Sequence, residues 1–176
     1  MPNPSEVPST SSGLEARKEE IVQGIDQEFK EFVQSEIQLK EQFYLEDVKR
    51  GFTTPERAAA ELEKTQQEYK ALIDFNDRVR AVTNNFFMWW PSGWHRQIIE
   101  EAGSTRQFPD MAAYNKFVED FDRTIEESGY IDMVPMVLNN NRKGTDPVLW
   151  DKRMLIMADV YLKMRQRGYD RKTLVA

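Results

Sequence analysis

The 176-residue chain has no cysteine and a single histidine, His95. Without cysteine there is no disulfide framework, no thiolate zinc site and no thiol nucleophile. With one histidine, a four-helix di-iron centre lacks the Glu-x-x-His motifs it needs on two helices. Acid–base work by His95 would need a partner that the sequence does not place, so beside Trp94 it reads as a packing or surface residue. No apolar run approaches the ~20 residues that cross a bilayer. The stretch Met1-Pro2-Asn3-Pro4-Ser5-Glu6 has neither the basic start nor the apolar centre of a secretory signal. A Gly-rich phosphate loop, a G-x-S-x-G elbow and an EF-hand loop are all missing. The carboxylates at Glu100-Glu101, Glu119-Asp120-Asp122 and Glu126-Glu127 read as solvated helix faces. The expectation is a protein that is not an enzyme, carries no cofactor or metal and does not span a membrane. It would be soluble and cytoplasmic, or incorporated into a particle assembled there.

What remains suits helices. The chain is 40% hydrophobic and 31% charged, a globular balance, with many Glu, Lys, Gln and Met. Its net charge of −6 is unevenly spread. Residues 142–176 hold nine Lys/Arg against four acids, a local +5 that leaves −11 for residues 1–141. An acidic body with a basic end argues against general nucleic-acid binding and for an acidic protein partner, a second copy included.

The periodicity predicts an all-α fold: a long antiparallel helical hairpin over 14–83, then a cluster of shorter helices over 84–176. Residues 1–13, with three prolines and five Ser/Thr, read as a flexible arm that orders only on a partner. The first helix is expected from Leu14 to Arg50, with Val22, Ile25, Phe29, Val33, Ile37, Tyr44 and Val48 on one face and Gly24 a weak point in its interior. At 1.5 Å per residue it would be on the order of 55 Å long, more than a compact domain of this size requires. Gly51 suits the left-handed stop. Thr53 or Thr54, Pro55 and Glu56 restart the helix, with Thr53-x-x-Glu56 matching a capping box. The second helix is expected from Pro55 to Val82, turning Ala59, Leu62, Tyr69, Leu72, Ile73, Val79 and Val82 toward the first, with Thr65, Gln66 and Asn76 interrupting the seam.

Further helices are expected over Trp94–Ala102, from the Asp110 cap to Gly129, and from Asp146-Pro147 to Gly168. In the last of these, Trp150, Met154, Met157, Val160, Tyr161 and Met164 form a stripe. Residues 130–138 read as a buried irregular segment, 139–145 as a polar loop and 169–176 as a short basic tail.

Two stretches are candidates for partner binding. Residues 86–94 pack five aromatics and a methionine around Pro91 and Gly93. The stretch reads first as a core plug where the hairpin meets the C-terminal helices and next as a partner-facing anchor. Phe86 and Trp90 are expected to be buried against those helices, with at least one of Phe87, Trp89 and Trp94 touching another chain. Lys163, Arg165 and Arg167 complement a helix C-terminus and, with Arg171 and Lys172, offer a surface to acidic protein. The resulting expectation is a structural or assembly component of a multi-subunit complex, with a virus or phage particle as one setting. The alternatives are an inhibitor or adaptor docking through 86–94 and, less favoured, a peripheral membrane protein.

Overall fold

A computed structural model describes residues 10–83, 94–134 and 146–175, with side chains from Gly13 onward in the first stretch. Among the described residues the chain is all-α, with no strand. Helix α1 spans Thr10–Lys49, α2 Pro55–Lys70, α3 Phe75–Thr83, α4 Trp94–Ala102, α5 Met111–Glu127, α6 Pro147–Gln166 and α7 Arg171–Leu174, with a 3-10 turn at Ile131–Met133. The chain forms two compact units. One is Gly24–Val82, and the other joins Met1–Gln23 to Thr83–Ala176.

The Gly24–Val82 unit is the hairpin. Gly51, at φ +76°, stops α1 in a conformation that a side chain disfavours. Thr54 then caps α2 by accepting from Arg57 N at 3.3 Å. The capping box read at Thr53 and Glu56 does not form: with Thr54 at the cap, the third helical position is Arg57. Phe32 meets Tyr69 edge-on at 5.6 Å and Lys40 Nζ donates to Thr65 Oγ1 at 3.2 Å. Asp26 pairs with Arg78. The partner number falls as the position in α1 rises, so the two arms run antiparallel.

The expected face of α1 holds, since Val22, Phe29, Val33, Ile37, Tyr44 and Val48 are half-buried and Ile25 is buried. The second arm needs correction. Its inward positions are Ala58, Leu62, Thr65, Tyr69 and Leu72, spaced by alternating steps of four and three as in a coiled-coil seam. Ala59 and Ile73, expected inside, are exposed. Thr65 does not interrupt the seam but belongs to it, accepting from Lys40 and donating to Glu61 O at 3.0 Å.

The second arm is also two helices, not one. It breaks after Lys70, where the Ala71 N–H closes on Gln67 O and Leu72 N on Tyr69 O. Arg78 Nε takes the Leu72 carbonyl at 2.9 Å while its guanidinium lies 5.5 Å from the Phe29 ring centre and pairs with Asp26. One side chain thereby satisfies a carbonyl that the break frees, an accounting every helix end requires.

In the other unit, α1 starts four residues earlier than the sequence suggests, at Thr10. Leu14 and Ile21, at 3% and 1% exposure, anchor this end, and extending an anchored helix adds a hydrogen bond per residue fixed. Helix α6 is the centre of the core. Every residue from Arg153 to Tyr161 is buried, so the expected stripe is in fact a complete girdle. Helix α5 lies against both α4 and α6, bringing in Tyr114, Phe117, Phe121 and Ile125.

The caps expected at Asp110 and Asp146 form, on Ala113 N and on Val148 N and Leu149 N. Gly103, Gly129 and Gly168 all take positive φ where helix stops were expected. The basic tail is a correction: Asp170 caps a further turn, α7, whose Leu174 is buried.

Candidate functional site

The densest polar chemistry lies around Asp159, a carboxylate only 1% exposed in the middle of α6. Arg17 of α1 approaches it as a fork, with Nη1 3.0 Å from Oδ2 and Nη2 3.0 Å from Oδ1. Tyr130, just past α5, donates its hydroxyl to Oδ2. Lys163, one turn further along α6, places Nζ 3.0 Å from the same oxygen. A buried carboxylate needs such company, because desolvating the charge alone is costly. Burial, and then the bond to Asp159, push the Tyr130 phenol far above its ordinary value, so it stays a donor. Oδ2 accepts from Arg17 and Tyr130, whereas Oδ1, buried as well, has the Arg17 guanidinium 3.0 Å away but no hydrogen-bond donor aligned on it. The cluster ties α1, the end of α5 and α6 together.

Lys163 links this cluster to the surface. Its ammonium also donates to Ser128 Oγ at 2.7 Å and sits 5.5 Å from the Tyr130 ring centre. Beyond it opens a groove of about 410 Å³ lined by Thr124, Glu127, Ser128, Lys163, Gln166 and Arg167. Across it Arg167 Nη2 donates to Glu127 Oε2 at 2.9 Å, where the Glu127 side chain is 63% exposed. The groove lies between the last turns of α5 and α6. The alignment of peptide dipoles there gives a partial negative charge, which the two cations offset.

One turn before Thr124 on the same face of α5, Asp120 accepts from Lys116 Nζ at 2.8 Å and from the Tyr169 hydroxyl at 2.6 Å. These bonds hold the Asp120 carboxyl below its usual range. Burial, with the bond to Asp120, pushes the Tyr169 phenol up to about 12. Tyr169 also stacks edge-on against Phe117 at 5.4 Å, and Arg165 Nη1 caps its carbonyl at 3.1 Å.

Of the partner-binding candidates, Phe87 and Trp89 lie outside the described residues, as do Phe86 and Trp90. Trp94 opens α4, 46% exposed, with its ring 5.2 Å from that of His95. His95 is 7% exposed among Trp94, Phe108 and Tyr114, and burial lowers its pKa. Lys163, Arg165 and Arg167 lie on or just past α6, half-buried and engaged as described. Arg171 and Lys172 begin α7, half-exposed and exposed. The basic residues therefore do not form one open patch: Lys163 and Arg167 share the groove, and Arg165 serves the Tyr169 turn.

Sequence reasoning passed over Arg17, Tyr130 and Asp159. A signal was present, since Asp159 is a lone acid within Leu155-Ile156-Met157-Ala158-Asp159-Val160-Tyr161. Such a residue is buried with partners more readily than solvated.

Among the described residues no three His, Asp or Glu side chains gather as metal ligands, and no helix is long and apolar enough to cross a membrane. No family model, curated protein or solved structure matches the chain.

Proposed function

We propose that this chain is a non-enzymatic structural component of a larger protein assembly, and that the α1–α2 hairpin is the element on which other subunits pack. One observation carries the reading. Between Ile25 and Val79 the only buried side chain is Thr65, a polar one, while Leu39, Phe43, Leu45, Phe52 and Ile73 stand 57–74% exposed. Full burial of a Leu or Phe side chain contributes about 1.5–3 kcal/mol. An exposed apolar pair on one helix face, as at Leu39 and Phe43, supports an interaction surface over a solvated one. Leu39 and Phe43, one turn apart on α1, form its most regular part.

The double variant Leu39→Ser/Phe43→Ser tests this. Neither residue supports the fold, so each change should alter stability by no more than about 0.5 kcal/mol. Sedimentation of the wild-type chain should show self-association, or a stable complex with a purified partner, that the variant loses. A wild-type chain that remains a monomer and a variant that binds unchanged would sink the reading.

The exposure of Trp94 keeps a second reading in view, an adaptor or inhibitor docking through residues 86–94. Under that reading Trp94→Ala abolishes binding and the hairpin variant does not.

A further inference from the structure

We propose that the groove between the last turns of α5 and α6 binds a side-chain carboxylate from an acidic peptide segment of a partner protein, in exchange for Glu127. This rests on the assembly reading and gives the chemistry of one of its contacts.

The groove already holds such a group. Glu127 Oε2 accepts from Arg167 Nη2 at 2.9 Å, yet the Glu127 side chain is 63% exposed against 27% for Arg167. An ion pair with one partner this exposed contributes little, so a carboxylate arriving from another molecule displaces it at small cost. Glu127 then turns to water. What it leaves behind favours the newcomer. Arg167 presents a planar fork matched to a carboxylate. Lys163 Nζ gives one hydrogen to Ser128 Oγ and lies 3.0 Å from Asp159 Oδ2 as an ion pair, and an ammonium has three hydrogens. Ser128 Oγ accepts from Lys163 and keeps its own O–H to donate.

Charge selects the class of anion. Asp159 and Arg17 cancel one another beneath the groove, and Asp120, whose carboxylate feels Arg167, is itself paired with Lys116, leaving Lys163 and Arg167 as the two cations of the groove. The carbonyl ends of α5 and α6 each contribute roughly half a negative charge to the same region. The net positive charge is therefore about one once Glu127 has left. That matches a carboxylate and disfavours a phosphate dianion.

The test is an NMR titration of the full chain with acetyl-hexaglutamate amide, following the backbone amides of Ser128 and Arg167 and the Arg167 side chain. The wild-type protein should shift at these positions, and equal concentrations of inorganic phosphate should neither reproduce the shifts nor displace the peptide. Glu127→Gln removes the internal competitor and should tighten peptide binding by roughly two- to fivefold, the range an exposed ion pair spans. Arg167→Gln should weaken it by roughly tenfold, as expected for loss of a charge-assisted fork. Because the two changes act in opposite directions, a general loss of folding cannot mimic the result. Shifts confined to other surfaces, a Glu127→Gln variant that binds no more tightly, or phosphate competing as well as the peptide would each overturn the proposal. Sedimentation separates the two readings. Hairpin-dependent assembly without peptide binding sinks the groove alone, and peptide binding by a chain that never associates sinks the assembly reading.

Discussion

From Arg153 to Tyr161 every side chain of α6 is buried, whereas from Asp26 to Arg78 the hairpin buries only Thr65. The two regions are equally helical and are held in shape by different means. In the C-terminal unit, apolar girdles and a buried ionic cluster leave few positions unconstrained. In the hairpin, order comes from good helix formers, a glycine stop, a threonine cap, one file of half-buried contacts and Arg78 bridging the break. A helix can therefore be well specified without being well buried. The specification leaves large apolar side chains exposed along the hairpin.

Substitutions that act on one unit sharpen this contrast. The largest effect is expected at Asp159. Asp159→Ala removes the acceptor shared by Arg17, Tyr130 and Lys163, and breaking a buried pair costs roughly 3–5 kcal/mol. With Arg17 36% and Lys163 23% exposed at the side chain, both cations can turn toward water, so the expected loss is about 3 kcal/mol, the low end of that range. Chemical denaturation followed by near-ultraviolet circular dichroism measures it. A loss below that of a half-buried hairpin residue would remove the basis of the comparison.

Leu62→Ala supplies the hairpin counterpart. Leu62 is half-buried in the seam, so truncation should cost about 1 kcal/mol, below the 2–5 kcal/mol typical of a fully packed leucine. Amide exchange along α2 should report the change locally. A cost as large as that of a core leucine would mean that the hairpin is packed as tightly as the C-terminal unit.

The smallest expected effect concerns acid. Burial lowers the His95 pKa below 6.5, so as pH falls through 6.5 the unfolded chain takes up a proton that the folded chain resists. Stability is thus fully present above pH 6.5, declines below it, and the decline levels off once pH passes the folded pKa. Thermal melts between pH 7.5 and 5 should show the decline, and His95→Phe should flatten this part of the profile. An unchanged profile in the variant would show that His95 does not titrate differently on folding.

Much of this fold is legible in the sequence, because the marks that punctuate helices are local. Gly51, Gly103, Gly129 and Gly168 end helices, and Asp110 and Asp146 begin them, as their chemistry requires. The break at Ala71 is harder to read. Leu72, Ile73, Val79 and Val82 continue an apolar spacing that argues for one helix, and the group that stabilises the break is Arg78, whose reach is tertiary. Arg17, Tyr130 and Asp159 are hidden for the same reason, since their meeting depends on contacts between elements far apart in the chain. The groove has no sequence signal of its own. Lys163 and Arg167 are visible as cations, but nothing local tells which of them already face Asp159, Ser128 and Glu127.

The Lys40–Thr65 bond has a further consequence for how the hairpin finds its alignment. A seam that repeats every seven residues fits almost as well when one helix slides by a heptad, because apolar positions still meet apolar ones. The polar layer removes that degeneracy. Displaced by one repeat, Thr65 would face Val33 or Asp47 in place of Lys40, and the Lys40 ammonium would face Leu72 or Ala58. Each slipped form strands a polar group that the native one satisfies, a device by which single polar positions fix coiled-coil alignment at some cost in stability. The pair acts as an index mark, setting where the turn at Gly51 falls and how much of each arm is left over at the other end.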